Sequence, residues 1–274
     1  MHEPTELIIE AGHAERHYWR DLWRYRELFY FFAWKDILVR YKQTVVGVAW
    51  AVIRPLLLMI VFTFFQRVMK MPNDGIPTEL TMYVGILAWT FFSASLQESG
   101  TSLVSNSNLI SKIYFPRLVI PAAAVITALL DFLVAALLLI FLFAWFHQAP
   151  SVHIFALPLF VALAFAAAIG GGLWLSALMV RYRDIRFVIP FIVQFGLYLS
   201  PVWFKSAQLP EQWRLWYSIN PVVGVIDGFR WAILGGPNEI YVPGMLVSVA
   251  VTGLLIVSGV SYFRKTERTF ADII

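Results

Sequence analysis

Between Tyr198 and Val222 the chain reads YLSPVWFKSAQLPEQWRLWYSINPV, which sets the rings of Tyr198, Trp203, Phe204, Trp213, Trp216 and Tyr217 among Pro201, Pro210 and Pro221. Aromatic side chains offer flat apolar faces, to which Tyr and Trp add a polar handle. The same residues also suit the boundary between a membrane and water. The prolines exclude one straight helix, so these rings sit on a broken backbone. Ionisable groups are the other carriers of chemistry. Arg54, Glu98 and Asp131 lie in or at the ends of strongly apolar runs, where a charge is costly and marks a functional candidate. Asp74, Glu79 and Asp227 are the carboxylates a general base would need, but no spacing brings them together. The remaining signatures are absent. There is no GxxxxGK[ST] phosphate loop and no GxSxG elbow, and His2, His13, His17, His147 and His153 form no ligand spacing. The lack of cysteine excludes disulfides, thiolate metal sites and cysteine nucleophiles. We assign no catalytic residue and no metal ligand.

The elements that hold these residues follow from composition. The 274 residues are 59% hydrophobic and 14% charged, whereas a soluble domain is about half apolar and about a quarter charged. An all-α integral membrane protein is expected. Six apolar runs, at 45–67, 80–98, 118–145, 154–180, 187–204 and 242–263, approach the roughly 20 residues that cross a bilayer as helix. Residues 1–44 form a cytoplasmic segment and 45–274 the transmembrane domain. Gly170–Gly172 falls inside the fourth run and follows no strand, so it reads as close helix packing rather than a dinucleotide loop. The first twenty residues lack the basic-then-apolar order of a signal peptide, so targeting is expected to rely on the first span.

Loop charges set the orientation. Arg16, Arg20, Arg24, Arg26, Lys35, Arg40, Lys42, Lys112, Arg117, Arg181, Arg183, Arg186, Arg264, Lys265 and Arg268 share one side; Arg67, Lys70, Lys205, Arg214 and Arg230 share the other. The positive-inside bias places both termini in the cytoplasm and Tyr198–Val222 outside. The net charge of +4 is thus a matter of topology rather than nucleic-acid binding. Ahead of the first span, Leu22, Tyr25, Phe29, Phe32 and Ile37 recur at helical spacing between charges. Asp21–Gln43 is therefore expected to be an amphipathic helix in the cytoplasmic interface.

Three motifs then matter as an ordered set: NSNLISKIYFPRLVIP at Asn106–Pro121, RYRDI at Arg181–Ile185, and LSPVWFKSAQLPEQWRLWYSINPVVGVIDGFRWAIL at Leu199–Leu234. Asp184 is placed to cap the fifth span. In this order, on six spans with an amphipathic N-terminal helix, the chain from about Trp19 resembles the permease subunit of type 2 ABC exporters of bacterial surface polysaccharide, with O-antigen, capsule and teichoic acid members. The resemblance implies a homodimer in the bacterial inner membrane, paired with two copies of a separate ATPase subunit. That subunit would carry ATP and Mg, leaving this chain without a cofactor. It implies a lipid-linked polysaccharide, most simply O-antigen, as cargo. By the same resemblance, Asn106, Asn108, Leu109, Lys112, Tyr114, Phe115 and Arg117 belong to a coupling helix on the ATPase. The segment at about 203–235 becomes an external re-entrant pair of gate helices between spans five and six.

With such a cargo, rings along a channel would let sugars pass from face to face without tight binding. Candidate lining and cargo-contact positions are Trp50, Arg54, Tyr83, Trp89, Phe92, Tyr198 and Trp203; interfacial belts and core packing are the alternative use of the aromatic ones. Arg54 could meet a diphosphate or snorkel to the interface. Asp131 could pair with an arginine of a neighbouring helix or line the pore, and Glu98 would line the cytoplasmic boundary. Pro201 should end the fifth span, and Pro210 and Pro221 should each start a short helix. Phe204, Trp213, Trp216 and Tyr217 are the candidate outer lid; an external cap without gating is the alternative. Two other functions remain open: a membrane-embedded glycan-transferring enzyme, and an ABC drug exporter permease with an apolar cavity.

Overall fold

A computed structural model describes residues 18–42, 47–70, 75–110, 112, 115–236, 238–267 and 269–270. Tyr114, Asp74, Gln43 and residues 1–17 fall outside them. The described residues are helical with no strand. Helices α1 (Tyr18–Arg24) and α2 (Arg26–Lys42) lead into α3 (Gly47–Val68), α4 (Thr78–Ser105), the single turn α5 (Ser107–Ile110) and α6 (Val119–Trp145). Then come α7 (Leu157–Arg181), α8 (Ile185–Leu199), α9 (Glu211–Tyr217), α10 (Pro221–Leu234) and α11 (Val242–Glu267).

Among the described residues, five helices, α3, α4, α6, α7 and α11, are long and apolar enough to cross a membrane. The run at 187–204 is different. It forms the 15-residue helix α8, which ends at Leu199 because Pro201 cannot continue it. At 1.5 Å per residue α8 spans only about 22 Å, less than the roughly 30 Å of hydrocarbon. Pro210 and Pro221 begin helices as expected. Pro210 precedes α9, and Pro221 opens α10, where the Asn220 side chain accepts from the Val222 N–H at 3.1 Å. Asp184 does not cap α8: its backbone is already helical and its side chain makes no capping bond. The expected interface helix is likewise two helices, α1 and α2, broken at Tyr25.

Helix α4 is the axis of the bundle. Most of its length is buried, and α3, α6, α7 and α10 pack around it. Small residues permit this closeness. A Cβ on Gly172 would stand 2.3 Å from the Ser99 Oγ, and one on Gly100 2.9 Å from Ile189. On the far side of α7, a Cβ on Gly259 of α11 would stand 2.5 Å from the Gly170 carbonyl oxygen. Gly170–Gly172 is therefore helix-packing sequence.

Two apolar clusters fill the interior. One joins Leu80–Leu96 of α4 to Phe132, Phe160, Ile226 and Phe229. The other gathers Tyr18, Phe32, Leu103, Phe115, Val119, Leu173, Phe263 and Phe270. The second ties both terminal regions to the turn after α4, with the Phe32 and Phe115 rings 5.6 Å apart.

Candidate functional site

Between α2, α3, α4 and α6 lies a cleft of about 530 Å³, reached also by Val193 of α8. Its walls carry Trp50, Ala51, Arg54 and Pro55 from α3, Thr90, Ser93, Gln97 and Glu98 from α4, and Asp131 and Phe132 from α6. Pro55 sits inside α3 and removes the N–H that would meet the Ala51 carbonyl. Backbone broken in this way belongs where protein or a watery cavity can satisfy it. Both residues face the cleft.

The cleft lining includes a charge cluster. Arg40 of α2 donates to Asp131 at 2.5 Å through Nη1 and to Glu98 through Nη2, and the Tyr41 hydroxyl donates to the other Asp131 oxygen. Burial works against the Arg40 charge, but Glu98 and Asp131 outweigh it and hold the guanidinium above its ordinary value. Burial, reinforced by the Asp131 hydrogen bond, pushes the Tyr41 phenol up, keeping it a donor. Asp131 thus pairs with an arginine of a neighbouring element. By position Arg40 reads as a loop charge; its place in the last turn of an aromatic helix, ahead of the carboxylates Glu98 and Asp131, is the sequence signal for this pairing.

Arg54 is different. Its guanidinium lies 5.9 Å from the Trp50 ring centroid, a cation–π distance. No carboxylate among the described residues pairs with it, and both side chains are exposed on the cleft. The other proposed lining residues divide by placement. Tyr83 is fully buried, its hydroxyl donating to the Ala135 carbonyl at 2.7 Å. Trp89 and Phe92 are also buried, with the Trp89 ring lying where a Cβ on Gly196 of α8 would be 2.5 Å away. Tyr198 is exposed at the end of α8, and the Trp203 Nε1 donates to its carbonyl at 3.4 Å.

Beyond α8, Trp213 and Trp216 lie three residues apart on α9 and are 59% and 68% exposed, an outward aromatic pair. Phe204 approaches Tyr217, with centroids 6.0 Å apart, and burial pushes the Tyr217 phenol up. Arg230, counted by its position as an outer loop charge, is buried in α10, where burial lowers its guanidinium to about 10. Of the carboxylates a base would require, Glu79 pairs with Arg67, while half-buried Asp227 accepts from Ser206 at 2.5 Å. Burial pushes Asp227 up despite its neighbours Arg230 and Arg214. The two carboxylates belong to separate pairs.

The turn after α4 divides into inward and outward residues. Asn106 is buried, donating to the Ser102 carbonyl at 2.9 Å and accepting from Lys35 of α2 at 2.5 Å. Phe115 is buried and Leu109 half-buried, whereas Asn108 and Lys112 are exposed. Arg117 is held by the end of α11: its backbone N–H donates to the Glu267 carboxylate at 2.7 Å and its Nη1 to the Glu267 carbonyl at 2.5 Å. The Tyr18 hydroxyl donates to the other Glu267 oxygen at 3.0 Å. This links three segments far apart in the chain, and no short motif announces it. Outside the turn, the exposed face of α1 and α2 carries Trp19, Trp23, Tyr30, Phe31 and Trp34. That aromatic surface suits a helix lying at a membrane boundary.

Comparison with known proteins places this architecture. The chain is 28% identical over 245 residues to the O-antigen export system permease protein RfbA of Klebsiella pneumoniae, covering 88% of this chain and 92% of that one. It is 24% identical to the RfbA permease of Myxococcus xanthus, covering 93% and 98%. The polysialic acid transport protein KpsM of Escherichia coli is 24% identical, covering 74% and 79%. Residues 27–234 match the membrane-domain family described as ABC-2 type transporter, which spans the cleft, the turn after α4 and the aromatic segment through α10, and the chain belongs to that family.

Proposed function

We propose that this chain is the transmembrane subunit of an ATP-driven exporter of a lipid-linked bacterial surface polysaccharide of the O-antigen class. The carrying observation is the near full-length similarity to permeases named for O-antigen export, with family residues 27–234 running through the cleft and the aromatic segment. Two copies form the working permease, and each binds an ABC ATPase that supplies ATP and Mg. Both termini lie on the cytoplasmic side of the inner membrane. Helix α8 and the irregular segment beyond it complete a sixth crossing.

Arg54 supports a role in receiving the cargo. It is a cation at a partly apolar cleft beside an open tryptophan face, which suits a phosphate-linked sugar. Asn108 and Lys112 present the outward face of the turn after α4 to the ATPase, while Asn106, Phe115 and Arg117 hold that turn in place. Outside, Trp203, Phe204, Trp213, Trp216 and Tyr217 close the mouth between transport events. The test is deletion of this subunit in its own cell, scored by surface polysaccharide, with affinity purification of the tagged chain. Loss of the polymer together with recovery of an ABC ATPase supports the reading. Intact surface polymer in the deletion strain would overturn it.

A further inference from the structure

The segment after α8 has no regular secondary structure from Ser200 to Lys205, yet it carries two of the outer aromatic residues. Its backbone is held from α10. Arg230 donates through Nη2 to the Val202 carbonyl and through Nη1 to the Phe204 carbonyl, both at 2.8 Å. One turn earlier on the same helix, Asp227 accepts from the Ser206 hydroxyl at 2.5 Å. Three side-chain bonds from one helix therefore fix a five-residue stretch, and Trp203 and Phe204 emerge between the points of attachment.

The guanidinium is built into the fold rather than laid on its surface. Arg230 is 2% exposed. A Cβ on Gly85 of α4 would stand 2.8 Å from its Nη2 and 2.8 Å from the Val202 oxygen. Only glycine at 85 leaves room for the planar fork to reach two carbonyls. Asp227, one turn earlier on α10, favours the guanidinium charge against the burial that opposes it.

We propose that Arg230 is the positioning residue of the outer aromatic segment, setting where the Trp203 and Phe204 rings stand through the Val202 and Phe204 carbonyls, with Asp227 as the second point of attachment. This rests on the reading of Leu199–Leu234 as the outer closure. Arg230 does not touch cargo. It converts the position of α10 into the position of the rings, so a displacement of α10 against α4 moves the mouth.

The chain has no cysteine, so Phe204→Cys provides a single thiol in the full-length subunit. Its rate of modification by a membrane-impermeant maleimide in spheroplasts reads the accessibility of the segment. Val152→Cys, at a position 83% exposed near the α6–α7 connection, serves as the control. Adding Arg230→Gln should raise the Phe204→Cys rate about tenfold, since two charge-assisted hydrogen bonds are lost, and leave the Val152→Cys rate unchanged. Arg230→Lys should restore only part of the protection, because an ammonium lacks the fork. Ser206→Ala, which leaves Arg230 in place, should raise the rate about threefold and keeps the test available if Arg230→Gln does not accumulate. Unchanged labelling in both variants overturns the proposal, as does an equal rise at 204 and 152, which marks general loosening. Ion leak and polymer export in the same cells read the closure separately. Raised labelling with a sealed membrane and normal export would leave the clamp standing and remove the gate reading.

Discussion

Replacing Arg40 by Met should destabilise the protein through the two carboxylates it leaves behind. Arg40 bonds Asp131 at 2.5 Å, the two side chains being 28% and 26% exposed. A hydrogen bond to a charged partner is worth about 1.5–3 kcal/mol. The bond to Glu98 counts for less, since Glu98 is 40% exposed and a screened pair contributes about 0.5 kcal/mol. The expected loss is about 2–3.5 kcal/mol. At about 2–4 °C per kcal/mol this lowers the melting temperature by about 4–14 °C, measured on the purified protein in nanodiscs. Asp131→Asn alone should also destabilise, since it keeps the Tyr41 contact but loses the ion pair. In Arg40→Met/Asp131→Asn the second change should cost little, giving a coupling of about 1–2 kcal/mol. Losses that add to within about 0.5 kcal/mol would refute the view that α2 is tied to α6 through this pair.

Other expectations follow from single contacts. Arg54→Gln should reduce polymer export while leaving the melting temperature within about 1 °C, because an exposed cation with no described ion partner contributes little to folding. Gly259→Val should cost about 1–3 kcal/mol by overpacking, since even its Cβ would reach the Gly170 carbonyl; thermal unfolding reads it. Asp227 sets a pH dependence. Burial raises its native value above the ordinary 3.8, so the native state binds the proton more tightly than the unfolded chain. Stability should rise as pH falls through the raised native value and level off below 3.8. Asp227→Asn should flatten that rise in pH-dependent melting curves.

Much of the fold was legible from hydropathy. Five of six apolar runs are long helices because each must satisfy its own backbone in lipid. The proline signals at 201, 210 and 221 also read correctly, since a missing N–H and a fixed φ act locally. Capping by Asp184 did not, because the side chain's geometry depends on a turn whose backbone is already helical. The interface helix breaks at Tyr25, and its exposed residues mix the rings of Trp19, Trp23, Tyr30, Phe31 and Trp34 with the charges of Arg20, Arg24, Arg26 and Glu27. Spacing alone cannot tell a protein-facing ring from a lipid-facing one.

Sequence by itself determined that this chain lives in a membrane, how its apolar runs are ordered, and where its aromatic segment is broken. These are one-dimensional properties, set by the residues' own transfer energies and backbone limits. Tertiary structure alone decided which charges meet. Arg40 joins Glu98 and Asp131, Arg230 holds Val202 and Phe204, and Glu267 holds Arg117 and Tyr18, across separations of 26 to 249 residues. It also separated Tyr83, buried against the Ala135 carbonyl, from Trp50, open on the cleft. The reason is physical: a buried charge or hydroxyl must find a partner, and which partner is near depends on how helices pack, not on their order along the chain.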